Sequence, residues 1–372
     1  MSTVLLCATD AGGASNLASL SEALDRHRVS AVLVTSSRCL HFFEPVGRYV
    51  RVVLDPQEDV LAALIEETRP TAVVCGTTRD ESPDRQAVRL ARARGIPSLA
   101  VVDERYLYRS RFAGPGGELV DLPDAIALVD EDAVREATAE GLPKRRCHAT
   151  GSPALSRLVT LVERFGETPP GRPHYLRTVP AWPVVTFLSE TFASDYGVGV
   201  DQPGSLGPFV GYTETSVYRS VLEVLGTQQA APVVSVEKLH PASAEDPDVT
   251  PVLASNHHYH VRVKQVDLWA LLWHSSLVIG MRSMALLEAH LFGVPTVSYQ
   301  PGLIGAERCT AVRLGLIPRL STPAQLASWC QLQLSQPGLD RRIPAVRSPF
   351  AAVDAADRLL AIALTSAVVE RA

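Results

Sequence analysis

Two stretches of this chain bring together side chains that can handle an anion, and both sit where an apolar run ends. In Lys238-Leu-His-Pro241, a lysine, a histidine and a rigidifying proline close such a run. There Lys238 and His240 can hold a diphosphate or donate to a leaving group whose negative charge grows as a bond breaks. The second stretch runs Gly280-Met-Arg-Ser-Met-Ala-Leu-Leu-Glu-Ala-His-Leu-Phe-Gly-Val-Pro-Thr-Val-Ser-Tyr-Gln-Pro-Gly302. Ser283 is placed to N-cap a helix whose first-turn N–H groups, flanked by Arg282 and Met284, would meet an anion. Arg282 adds a further phosphate contact to this set. Glu288, five residues on, is a carboxylate that can accept two hydroxyl hydrogens from a ribose. Gly293-Val-Pro295 then stops the helix.

A third cluster lies in the first half, in Asp10-Ala-Gly-Gly-Ala-Ser-Asn16. Gly12 and Gly13 would let the backbone approach a ligand, although a turn with an N-cap explains the residues equally well. The spacing is not GxGxxG, and VTSSR at the end of the second strand supplies no acidic residue for a ribose, which disfavours a nicotinamide cofactor. Asp10, Asp80, Glu81 and Glu104 all follow strand ends. In the second half Phe187-Leu-Ser-Glu-Thr191 closes another strand, so Ser189 and Glu190 are candidate ligand contacts, with helix capping the alternative for Glu190. The five glycines between Ala193 and Gly211 suggest a mobile flap. His257-His258-Tyr259-His260 lacks a carboxylate or cysteine at ligand spacing, and no metal site is expected. Trp269 and Trp273, four apart, read as core or interface.

Short β-rich runs must present these residues. In the first half they are Val4 to Thr9, Val29 to Thr35, Tyr49 to Leu54, Thr71 to Thr77, Pro97 to Asp103 and Ala125 to Asp130, separated by helical stretches at Ala14 to Leu24, Glu58 to Glu67 and Arg85 to Arg94. This is the pattern of an open parallel sheet. Five prolines and two glycines between Phe165 and Pro183 block regular structure. A second set of strands follows in PVVTFLSE, PVVSVEKLH, YHVRVK, SLVIGM and PTVSYQ. The expected organisation is residues 1–165 as a first Rossmann-like domain, 166–183 as a linker, 184–349 as a second Rossmann-like domain, and 350–372 as an amphipathic helix that could pack back on the first. Ligands of such sheets bind beyond the carboxyl ends of the strands, so two of them would enclose a cleft.

The composition agrees. A chain of 372 residues with 46% hydrophobic and 20% charged residues can build two cores. A net charge of -5 and a pI near 6.1 offer no basic field for nucleic acid. Six scattered cysteines without a CxxC pair read as reduced thiols, and no run approaches the ~18 apolar residues of a membrane span. The expectation is a cytoplasmic protein; its alanine, arginine and proline richness suggests a GC-rich bacterial source.

Ser283, Glu288-Ala289, Gly293 and Pro295 resemble the S-x4-E-A-x3-G-x-P signature of glycosyltransferases with two Rossmann-like domains, the GT-B fold, and of the related non-hydrolysing UDP-N-acetylglucosamine 2-epimerases. Lys238-Leu-His-Pro241 is similar to the His-Pro motif of bacterial sialyltransferases and of capsule or teichoic-acid polymer transferases. The resemblance covers Val233 to Gly302. It implies an α/β enzyme of two Rossmann-like, GT-B-type domains facing across a cleft, which moves a sugar from a nucleotide-diphosphate donor to an acceptor held by the first domain. Gly12, Gly13, Ser189, Glu190, Lys238, His240, Arg282, Ser283, Met284 and Glu288 would bind the donor, Ser283 at phosphate and Glu288 at ribose. The catalytic candidates are Asp10, then Glu81, then Glu104 as base, with His240 at the leaving diphosphate. No metal and no cofactor are implied, the nucleotide sugar being a substrate. The partners are that donor and an acceptor, with no nucleic acid and no membrane span; a homo-oligomer is compatible with the sequence. The alternatives are a sugar-nucleotide epimerase or hydrolase on the same scaffold, or a non-catalytic protein of this fold.

Overall fold

The computed structural model describes residues 2–44, 49–78, 81–227, 232–245, 249–255, 257–335 and 354–369. They form two compact units, Met1–Thr160 with Arg347–Ala372, and Leu161–Val346. The boundary falls within the helix Pro153–Glu167. The proline-rich stretch 166–183, expected as a linker, contributes to the core of the second unit: Tyr175, Leu176 and Val179 are buried there with Val234, Val236 and Leu271. Prolines stop long elements without preventing apolar side chains between them from being buried.

The first unit is a seven-stranded parallel sheet. Its strands are β1 (Thr3–Ala8), β2 (Ser30–Thr35), β3 (Arg51–Leu54), β4 (Ala72–Cys75), β5 (Ser98–Val101), β6 (Ala125–Leu128) and β7 (Cys147–Ala149), in the order β3-β2-β1-β4-β5-β6-β7. β1, β4, β5 and β6 consist largely of Val, Leu, Ile, Ala and Cys and are buried on both faces, as strands covered by helices on two sides must be. One face is packed by Leu61, Leu64, Ile65, Ala87 and Ala91, the other by Leu17, Leu20 and Leu24 together with Leu359, Leu360 and Ala363 from the C-terminal helix Ala355–Val369. The single helix expected over 14–24 is two, Ala11–Ala18 and Ser21–Arg26. The Ser19 hydroxyl turns back to the Ser15 carbonyl (2.8 Å), and the Leu20 side chain at the break is buried in the core.

The second unit has another seven-stranded sheet: β8 (Val184–Leu188), β9 (Val233–Lys238), β10 (Val252–Ser255), β11 (His258–Val263), β12 (Leu277–Gly280), β13 (Thr296–Tyr299) and β14 (Arg319–Leu320), ordered β10-β11-β9-β8-β12-β13-β14. All neighbours are parallel except β10 with β11. In both sheets the strand order reverses direction beside the first strand of the unit. Such a switch point opens a crevice at the carboxyl ends. All six cysteines are free and buried, and no helix among the described residues is long and apolar enough to cross a membrane.

Candidate functional site

In the first unit, the carboxyl ends of β1, β4 and β5 gather three aspartates. Asp10 follows β1, and its Oδ1 accepts the Gly13 N–H at 2.6 Å, capping the helix Ala11–Ala18. Asp84 lies in the first turn of the helix Pro83–Ala93, whose start Ser82 caps, and is 1% exposed; the Thr9 hydroxyl donates to it. Asp103 follows β5 and pairs with the buried Arg111, its Oδ1 2.9 Å from Nη1. Arg111 donates from the same nitrogen to the Thr77 hydroxyl (2.8 Å), and from Nη2 to Glu104 (3.1 Å). Gly12 is required by this packing: a Cβ there would stand 1.7 Å from Asp103 Oδ2. The glycine expected to admit a ligand therefore makes room for a carboxylate of the chain itself.

The electrostatics follow from this crowding. Burial, then the charges of Asp103 and Asp84, push the Asp10 carboxyl up to about 7, against the pull of the Gly13 N–H and Arg111. Burial pushes Asp84 up to about 6, with the Thr9 and Thr78 hydroxyls holding it back. Burial opposes the charge of Arg111, but Asp103 and Glu104 outweigh it and drive its pKa upward. Glu81 is elsewhere: it pairs with Arg89 on the exposed side of the same helix, and that bond lowers its pKa. Glu81 is thus engaged away from the aspartates, whereas Glu104 joins them through Arg111. Asp80 lies outside the described residues. Sequence reasoning missed Asp84, Asp103 and Arg111; Asp103 at the end of an apolar run was the one signal on offer.

In the second unit Ser189 and Glu190, after β8, meet Lys238 at the end of β9 and Arg282 and Ser283 after β12. The backbone N–H of Ser189 bonds the Lys238 carbonyl at 2.9 Å. Glu190 Oε1 accepts the backbone N–H groups of Arg282 (2.8 Å) and Ser283 (3.1 Å). The amides expected to face an anion thus carry a carboxylate. Ser283 does not N-cap a helix; its Oγ takes the Ala285 N–H (3.2 Å), and the helix Ala285–Leu291 begins after Met284. The Arg282 guanidinium is buried against the rings of Phe192 and Tyr196, 4.3 Å from each centroid, so it braces the loop after β8. Glu288 is half-buried and accepts the Trp269 indole N–H at 2.8 Å; burial raises its pKa to about 7, the indole bond restraining the rise. Lys238 Nζ donates to the Leu239 carbonyl (2.8 Å), and His240 Nδ1 accepts the Ala242 N–H (3.1 Å).

The glycine-rich segment 193–211 is tied down: Leu206 N–H donates to Asp195 and Ile304 N–H to Val210. Tyr212 donates to Gln300 (2.9 Å), whose amide reaches Glu307. His258 and His260 are spent on Ser235 and Tyr218 at 2.8 Å each. Among the described residues no group of three or more His, Cys, Asp or Glu is arranged to hold a metal ion.

No protein-family model matches the chain, and no curated protein matches it in sequence. Solved structures do match along its length. The UDP-GlcNAc 2-epimerase from Neisseria meningitidis, bound to UDP-GlcNAc, is similar at TM-score 0.67 and 15% identity, covering 98% of this chain and 100% of that one. The epimerase from Methanocaldococcus jannaschii, in complex with UDP-GlcNAc and UDP, gives 0.65 at 11% identity over 97% and 99%. A glycosyltransferase of kitacinnamycin gives 0.55 at 16% identity over 99% and 98%. At such identities the likeness is one of fold, and with the two seven-stranded sheets it establishes the GT-B-type architecture of two Rossmann-like domains.

Proposed function

We propose that this protein is an enzyme acting on a nucleotide-diphosphate sugar by acid–base chemistry at the sugar, with epimerisation the reaction best supported. The observation that carries this reading is geometric: Asp10 and Asp84 are gathered at the carboxyl ends of β1 and β4 beside the Asp103–Arg111 ion pair, where burial raises both carboxyls toward neutrality. Epimerisation requires one group to take a proton from a sugar carbon and another to return one to the opposite face. Carboxyls poised near neutral pH suit both tasks. The nucleotide would lie on the second unit, Glu288 receiving ribose hydroxyls, and Lys238 and His240 meeting the diphosphate. No resident metal or cofactor enters this scheme. The likeness in fold to epimerases bound to UDP-GlcNAc supports it.

A second reading is glycosyl transfer, with Asp10 taking the acceptor's proton; the likeness to the glycosyltransferase of kitacinnamycin favours it. The decisive experiment incubates the protein with nucleotide sugars in D2O without acceptor and follows the sugar by NMR. Epimerised sugar carrying solvent deuterium at the inverted carbon is expected. An unchanged sugar that is consumed only when an acceptor is added would sink epimerisation in favour of transfer, and free sugar would mark hydrolysis.

A further inference from the structure

At the carboxyl ends of β9 and β11 the second unit sends two lysines to one loop. Lys238 ends β9 in register with Val263, the last residue of β11, and Lys264 is the next residue along. Both ammonium groups are already fixed by the loop after β9: Lys238 Nζ donates to the Leu239 carbonyl (2.8 Å) and Lys264 Nζ to the Ser243 carbonyl (2.7 Å). That loop is a closed turn, with the Ser243 N–H on the His240 carbonyl (2.9 Å) and the Leu239 N–H on Val263 (2.7 Å). His240 Nδ1 accepts the Ala242 N–H, which puts the proton of a neutral ring on Nε2 as a donor.

The carboxylates described nearby do not balance these charges. Glu237 and Glu245 are both taken up by Arg262, at 2.7 and 2.8 Å, and Asp267 caps the helix Leu268–His274 through the Ala270 N–H. Burial, and after it the charge of Lys264, hold the Lys238 ammonium down to about 8. Two half-buried like charges repel each other, and a bound dianion would offset that repulsion. The geometry points to Lys264, with Lys238 and His240, as a preformed cradle for a diphosphate, in which each ammonium keeps one anchor on the loop and offers its remaining donors to phosphoryl oxygens. The identification of that diphosphate as part of a nucleotide sugar rests on the function proposed above; the cradle itself does not.

The test is calorimetric titration of the full chain with inorganic pyrophosphate and, separately, with UDP. Lys264→Gln, which keeps a donor for Ser243 but no charge, should weaken both by about tenfold or more, the loss expected for one charged hydrogen bond. Lys264→Arg should stay within about threefold, and Lys144→Ala, on the exposed surface of the first unit, should change nothing. Equal pyrophosphate affinity in wild type and Lys264→Gln, or no pyrophosphate binding by wild type, would overturn the inference. Pyrophosphate binding that depends on Lys264, in a protein that turns over no nucleotide sugar, would uphold the cradle and remove the proposed activity.

Discussion

An aspartate held near neutrality is a burden on the fold as well as an asset to chemistry. The folded protein binds the Asp10 proton more tightly than the unfolded chain, whose ordinary value is 3.8. The group therefore favours folding most below that value, and its support is lost as pH rises from about 4 through about 7. Asp84, raised to about 6, acts in the same direction from about 4 through about 6. Asp10→Asn should accordingly raise the melting temperature of the first unit at pH 8, by roughly 2–4 °C for each kcal/mol relieved, and give no gain at pH 4. Scanning calorimetry at both pH values decides it; equal shifts would mean that the carboxylate carries no burial penalty. The same variant should lose turnover by about a hundredfold or more. Asp10 was legible in the sequence because an apolar strand ends immediately before it. Asp103 carried the same signal, but Asp84 and Arg111 carried none, and the meeting of all four is made by the packing of β1, β4 and β5 and not by spacing along the chain.

Elements were easier to read than their ends. Runs of four to six buried apolar residues such as Leu277–Gly280 or Ala125–Leu128 have one stable use, a covered parallel strand. β7, β10 and β14 escaped: at three, four and two residues they are too short to show a period, and the exposed β10 has no core to mark it. The glycine-rich loop after β8 misled for a different reason. Glycine signals either freedom or close approach, and here Gly211 has φ +103° and would place a Cβ 1.9 Å from the Gly302 carbonyl oxygen. Two loops at the carboxyl edge are locked backbone to backbone at that point. Gly211→Ala should therefore destabilise the second unit by more than about 1 kcal/mol and leave the first untouched, as read by denaturant unfolding with probes in each unit. An unchanged midpoint would mean that the two loops do not meet this way.

At the scale of the whole molecule, the first unit is built from both ends of the chain. Leu359, Leu360 and Ala363 are buried against Val4, Leu6, Val74 and Val101, and Asp357 bonds Arg26 (2.7 Å) and His27 (2.9 Å) at the surface. An amphipathic helix is legible from its pattern, but the same apolar face could cover any sheet. Only the gap on one face of the first sheet decides where it belongs. The consequence is thermodynamic: until the last helix arrives, the part of that face over β4, β5 and β6 is left in water. Leu359→Ala should cost about 2–5 kcal/mol, the range for a core leucine, and deleting residues 354–372 should abolish cooperative melting of the first unit while the second still melts cooperatively. The ion pairs of Asp357 add little, since exposed pairs are worth under about 1 kcal/mol, so Asp357→Asn should shift the melt far less than Leu359→Ala. A truncated chain that melts like the full one would show that this core closes without its C-terminal helix.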